Sequence, residues 1–94
     1  MSNVSLDHDG NEVSNYLETV VMLNSQKDVQ NFVNLCSSSM CEVDMLSGRY
    51  VIDGKSIMGI FSLDLSKPIT VHVRAVEQSD MEDLIAKINA NFKA

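Results

Sequence analysis

Residues 54–63 read Gly-Lys-Ser-Ile-Met-Gly-Ile-Phe-Ser-Leu, GKSIMGIFSL. The stretch opens like a nucleotide-binding loop and continues as an apolar run. A phosphate-binding P-loop needs G-x-x-x-x-G-K-[ST], because a long glycine-rich turn must wrap backbone N–H groups around the phosphates. Its first glycine would have to stand at position 49, which is Arg49, and Gly48 is one residue too early. The intervening RYVID is rich in strand-forming types. A short helix opening at Ser56 fits better, because serine is a favoured N-cap. In such a helix Ile60 and Leu63 turn to a core together, which leaves Ile57, Met58 and Phe61 on another side. The alternative is a helix buried all round. A chain of 94 residues has a small core that rarely encloses a helix completely, so an exposed patch suited to a protein partner is the preferred reading.

The flanks supply the rest of the architecture. Upstream, YVID and EVDML (42–46) alternate and flank the turn SGR, which predicts a hairpin with Tyr50 and Ile52 on one face. Downstream, Pro68 precedes ITVHVRAV, where Ile69, Val71 and Val73 alternate with Thr70, His72 and Arg74; this is a strand with one wet face. Near the start, YLETVVML (16–23) is rich in β-branched types and reads as a strand. Val29, Phe32, Val33 and Cys36 recur at i, i+3, i+4 and i+7, one face of a helix. Ser25 is its N-cap, with Asp28 three residues on as a weak capping box. In the last segment Ser79 and Glu82 form S-x-x-E, a capping box ahead of the stripe Met81, Leu84, Ile85, Ile88 and Phe92. The order is β-α-β-β-α-β-α. An α+β open-faced sandwich, a four-stranded, mainly antiparallel sheet with three helices on one face, buries every stripe.

Residues 1–15 are expected to be a mobile extension, and 16–94 the folded domain. DHDGNE in the extension looks like the start of a calcium loop. With Gly10 at the sixth position, however, the chelating acid at the twelfth would be Tyr16.

Composition excludes several classes of function. The formal net charge is −6, and the seven Lys and Arg are scattered; a nucleic-acid surface needs clustered cations to displace counterions. No apolar run is long enough to span a bilayer. The polar, acidic start lacks the pattern of a secretory signal, so a cytoplasmic location is expected. Cys36 and Cys41 form no C-x-x-C and have no histidine nearby to complete a zinc site. They read as reduced thiols, and no metal or cofactor is implied. His8 and His72 are the two histidines. Neither is bracketed by a nucleophile and an acid, so no catalytic triad is drawn and an enzyme is not expected. Two helix starts could hold an anion. One is at Ser25 with Lys27 behind it, and the other is at Ser56 with Lys55 before it. Both serines also read simply as N-caps. A phosphate on Ser56 would stand at a helix start, where negative charge is favoured.

Taken with the element order, GKSIMGIFSL closely resembles the signature around the regulatory serine of HPr, the phosphocarrier of the bacterial sugar phosphotransferase system. The likeness covers roughly residues 16–92, and its K-S-I-M-G core is the specific part. In HPr-like proteins this serine is phosphorylated by an ATP-dependent kinase in many Gram-positive bacteria, and the apolar neighbours dock partners. The resemblance therefore implies a regulatory site at Ser56 and a docking surface of Lys55, Ile57, Met58 and Phe61. The implied protein partners are HPr serine kinase, a transcriptional regulator or a phosphotransferase component.

HPr also carries its phosphoryl group on a histidine in G-x-H-[AT]-R-P-A at the start of the first helix. Counted back without gaps from Ser56 and Phe32, that histidine falls on Ser25, the arginine on Lys27 and the proline on Asp28. The local sequence is LNSQKDVQ. The resemblance thus implies an HPr-like chain that cannot carry phosphohistidine at this place, similar to catabolite-repression HPr. Its expected role is regulatory binding. The alternatives are a passive scaffold, and a carrier or enzyme working through Ser25 or His72.

Overall fold

A computed structural model describes residues 3–6 and 12–94, with side chains from residue 16 onward. Residues 1–2 and 7–11, over which much of the expected mobile extension and His8 fall, lie outside the described residues. The elements run β1 (Asn3–Leu6), β2 (Glu12–Val21), α1 (Gln26–Ser37), β3 (Glu42–Ser47), β4 (Tyr50–Asp53), α2 (Ile57–Phe61), β5 (Ile69–Arg74) and α3 (Gln78–Phe92). The four expected strands form an antiparallel sheet in the order β2-β5-β3-β4, and β1 extends its edge beyond β2. The α+β sandwich with three helices is therefore the observed fold.

Two boundaries differ from the sequence reading. The first strand starts at Glu12 rather than Tyr16, and Val4 and Asn15 pair in the added β1–β2 ladder. Each arm carries a single Val-Ser pair, in NVSL (3–6) and EVSN (12–15), too little apolar patterning to declare a strand in so polar a segment. The last helix starts earlier than its capping box predicts. Glu77, with extended φ and ψ, is the N-cap, and its carbonyl accepts the N–H groups of Asp80 and Met81. Ser79 thus lies inside the first turn and caps nothing. The reach of Glu82 ends instead at Gln78, whose Nε2 donates to Glu82 Oε2 at 3.2 Å, the i,i+4 spacing of helix neighbours.

The hairpin turn is set by one residue. Ser47 pairs with Tyr50, which leaves Gly48 and Arg49 as a two-residue loop. Gly48 has φ +58°, and no other residue among those described has positive φ. Glycine at the first central position is the requirement of a type II′ hairpin turn, which follows the twist of the strands it joins.

Strand register decides which residues meet the helices. Leu17, Thr19 and Val21 of β2 stand opposite Val73, Val71 and Ile69 of β5, which in turn stand opposite Val43 and Met45 of β3. Cross-strand partners share a face, and this face is buried. Onto it pack Val29, Phe32 and Cys36 of α1, Ile60 of α2, and Met81, Leu84, Ile88 and Phe92 of α3. Phe32 and Phe92 meet edge to face, with ring centres 5.5 Å apart, an arrangement favoured by the aromatic quadrupole. The one polar residue in this layer, Thr19, donates its hydroxyl proton to Asn89 Oδ1 on α3, so its burial leaves no orphaned donor. The C-terminal residues lie along β2, with Ala94 N–H bonded to the carbonyl of Val20.

Candidate functional site

The two helix starts singled out in the sequence are both serine caps, built differently. At α1, Ser25 is extended and its Oγ accepts the N–H of Asp28 at 3.1 Å. The carboxylate of Asp28 reaches back, and its Oδ2 accepts the N–H of Asn24 at 3.0 Å. This is the reciprocal logic of a capping box, displaced by one residue, because the acid satisfies Asn24 rather than the cap itself. Beside it lies an open cavity of about 410 Å³ walled by Met22, Leu23, Asn24, Ser25, Gln26, Leu65 and Ser66.

At α2, the chain is brought off β4 by a tight turn. Asp53 Oδ1 accepts the N–H of Lys55 at 2.9 Å, and the carbonyl of Asp53 accepts the N–H of Ser56 at 3.0 Å. Ser56 Oγ then accepts the N–H of Gly59 at 3.2 Å. Two glycines make the mounting possible. A Cβ on Gly54 would stand 2.5 Å from Val43 Cγ1, and one on Gly59 would stand 2.7 Å from Ile52 Cγ2. Gly54 can therefore donate its N–H to the carbonyl of Val43 at 2.8 Å and hold the turn against the sheet.

The five residues of α2 divide sharply. Ile60 is fully buried in the core, while Met58 is 79% exposed and Phe61 39% exposed. Ile57 is half-buried against the core, and Lys55 and Ser56 are also half-buried. The structure thus places Lys55, Ser56, Ile57, Met58 and Phe61 on one continuous turn and helix. Of the three apolar residues, Met58 and Phe61 present the most surface.

His72 lies elsewhere. It alternates with the buried Val71 and Val73 and so points to the open face of the sheet, away from the helices. There its Nε2 is 2.8 Å from Glu18 Oε1, and its ring lies against that of Tyr16 with centres 4.3 Å apart. In the next row Arg74 Nη2 donates to Asp44 Oδ2 at 2.9 Å and stands 3.6 Å from Glu42. These pairs tie β2, β5 and β3 together across the open face. The sequence could not show them, since they depend on register. Neither thiol offers a nucleophile. Burial pushes Cys36 up to about 12, and the pKa of Cys41 is also raised by burial. Raised to about 12, the Cys36 thiol stays protonated near neutral pH.

Comparison with known proteins bears on this arrangement. The family model of the PTS HPr component phosphorylation site matches residues 27–94. The chain belongs to the PTS HPr family. The match begins at Lys27, two residues beyond Ser25. The crystal structure of a phosphocarrier protein HPr from Bacillus anthracis str. Ames shares the fold, with a TM-score of 0.64 over 83% of this chain and 98% of that one, at 21% sequence identity. None of the curated proteins matches.

In an HPr-like fold the sequence-predicted carrier position, Ser25, is thus a satisfied helix cap carrying no imidazole. His72, on the opposite layer, does not share a site with Ser25, Lys27 or Ser56. The sequence reading missed Asn24 as the partner of Asp28, and Leu65 and Ser66 as walls of the cavity. It also missed Gly59 as the donor to Ser56. Only the last follows locally, because an N-cap oxygen accepts the backbone N–H two or three residues on whatever side chain stands there.

Proposed function

We propose that this protein is a regulatory binding member of the phosphotransferase system that carries no phosphoryl group on histidine and is switched by phosphorylation of Ser56. The observation that carries this reading is the pairing of a capped serine with exposed apolar groups on α2. Met58 and Phe61 are exposed on the same helix as Ser56, while Ile60 is fully buried and Ile57 packs half-buried against the core. Large apolar side chains on a short exposed element are the kind of surface that a partner desolvates, and their loss costs binding energy.

The chemistry is a phosphoryl transfer from ATP. Ser56 Oγ attacks the γ-phosphorus, the bond to the ADP oxygen breaks, and the hydroxyl proton leaves to the kinase. The kinase supplies the catalysis, and this chain supplies the hydroxyl. The added phosphate places negative charge beside Lys55 and within reach of the Gly59 N–H that the hydroxyl already uses. It also changes the charge next to Met58, so a partner docking there reads the modification electrostatically. HPr serine kinase, a transcriptional regulator and a phosphotransferase component are the partners this surface suits. A small cytoplasmic binding protein that is not an enzyme completes the reading.

The second reading is a passive scaffold that docks through Lys55, Ile57, Met58 and Phe61 with Ser56 unmodified. It is favoured by the hydrogen bond that already employs Ser56 Oγ as a structural cap. Intact-mass spectrometry separates the two. The protein is incubated with ATP and an HPr serine kinase in one tube, and with phosphoenolpyruvate and enzyme I in another. One phosphate in the first, mapped to Ser56, and none in the second is the expected result. No phosphate in either tube leaves the scaffold, and phosphate from phosphoenolpyruvate overturns both.

A further inference from the structure

We propose that the outer edge of β4 is a self-association surface, on which β4 of a second copy of this chain pairs antiparallel about a twofold axis at Val51. β4 ends the strand order, and among the described residues no strand pairs with its outer side. Its backbone phase is fixed at both ends. Ser47 and Tyr50 close the hairpin, and Gly54 donates its N–H to the carbonyl of Val43 at 2.8 Å. Along an antiparallel ladder successive residues turn their N–H and C=O to opposite sides. Tyr50, Ile52 and Gly54 therefore face β3, and Val51 and Asp53 face outward. An open edge of this kind accepts another strand unless lysine, proline, a bulge or a covering element guards it. Tyr50-Val51-Ile52-Asp53 holds no lysine or proline, and its pairing with β3 runs without a shift of register. Tyr50 and Val51 are 68% and 63% exposed.

The side chains select a second copy as the occupant. With Val51 opposite Val51, antiparallel pairing sets Tyr50 of each copy beside Ile52 of the other, and Arg49 of each level with Asp53 of the other. Aromatic–β-branched pairs and opposite charges both stabilise neighbouring strands. Arg49 and Asp53 are exposed. Asp53 has most to gain from a cation, because its cross-strand partner within its own chain is Asp44, a like charge. Arg74 is already engaged by Asp44 and Glu42. A slip of two residues either way would set Arg49 opposite Val51 or Lys55 and lose the charge pairing, so the register is specified. The axis stands perpendicular to the sheet, which joins the two sheets into one with both helix layers on the same side. Four residues from each copy make a small, transient interface.

This inference concerns β4 and does not depend on phosphorylation of Ser56, so the kinase experiment and the one below fail separately. The full chain is taken to sedimentation equilibrium from about 10 μM to about 1 mM, the span over which a small, transient interface fills. The wild type is expected to rise from the mass of one chain toward that of two. Val51→Pro removes the N–H at the axis. That N–H points away from β3, so the strand itself can hold the proline, and this variant is expected to stay monomeric. Val51→Lys, which keeps the N–H but sets two like charges at the axis, must do the same. Arg49→Asp and Asp53→Lys should each weaken self-association by about 5-fold or more. Their mixture should recover it, because every cation then faces an Asp. A wild type that stays monomeric throughout would overturn the proposal and leave the edge to a strand of another protein. Association that survives both Val51→Pro and Val51→Lys would overturn it by placing the contact on another face. A mixture that associates no better than Arg49→Asp alone would overturn the pairing about Val51.

Discussion

The starts of α1 and α2 use the same device to opposite ends. Each has a serine in extended conformation whose hydroxyl accepts the N–H three residues on. At α1 an acid from the first turn doubles the cap, and the helix behind it runs twelve residues with three buried side chains. At α2 the first turn has no acid, and the helix is five residues long with one buried side chain. The first start is finished as structure. The second has no acid within its first turn, and its serine shares a short helix with exposed Met58 and Phe61. The comparison teaches that a serine cap is neutral as to function, and that its neighbours decide what the hydroxyl is available for.

The largest expected effect tests that distinction directly. Ser56→Ala should abolish phosphate incorporation by an HPr serine kinase, whereas Ser25→Ala should leave it unchanged, both read by intact mass. Incorporation surviving in Ser56→Ala, or lost in Ser25→Ala, would break the comparison at its root. Next in size is the docking surface. Met58→Asp and Phe61→Asp should each weaken binding to the kinase by about 5-fold or more, given that a buried apolar hot-spot contact is worth upward of ~1 kcal/mol. Titration calorimetry would show it. Substitution of Lys27, beside the α1 cap, should change the affinity little.

How much of this was legible beforehand differs between the same two regions. The α1 stripe of Val29, Phe32, Val33 and Cys36 declares its helix through 3.6-residue periodicity; Val29, Phe32 and Cys36 are buried, and Val33 packs half-buried against the core at the edge of the stripe. The β5 alternation is equally plain. For α2, five residues are too few for periodicity to speak. The element was readable chiefly from the serine cap and the resemblance of K-S-I-M-G to a known signature. The fold was legible because its stripes are long. The β1–β2 arm and the cap at Glu77 were not, since edge pairing and helix starts depend on which competing hydrogen bond wins locally. The acid–base ladder of Glu18, His72, Arg74 and Asp44 was unreadable for another reason. Those residues come from three strands, and only the register brings them together.

A substitution at the mounting of α2 sharpens the contrast between an anchored and a self-contained start. Gly54→Ala puts a Cβ 2.5 Å from Val43 Cγ1 and 3.3 Å from the Val43 carbonyl oxygen, on a sheet that cannot recede easily. Overpacking of this kind costs about 1–3 kcal/mol, measurable as a lowered urea midpoint. The amides of residues 55 to 60 should shift far more than those of residues 25 to 29, because only the α2 start is fastened to β3 through this glycine. Equal disturbance at both starts would mean that α1 and α2 move as one unit.

The smallest effect asks what each cap contributes to stability. Removing an N-cap hydroxyl typically costs ~1 kcal/mol. Ser25→Ala should approach that figure, since α1 is long and its whole first turn leans on the Ser25–Asp28 pair. Ser56→Ala should cost less, about 0.5 kcal/mol, at the low end of the same range. The single turn of α2 is held chiefly by buried Ile60 and by the Gly54 bond to Val43. Equilibrium urea unfolding of the two variants decides it. If Ser56→Ala proves the more damaging, the hydroxyl of Ser56 is first of all a structural cap. Phosphorylation would then have to disrupt the helix it reports on, and the passive scaffold becomes the better account of this face.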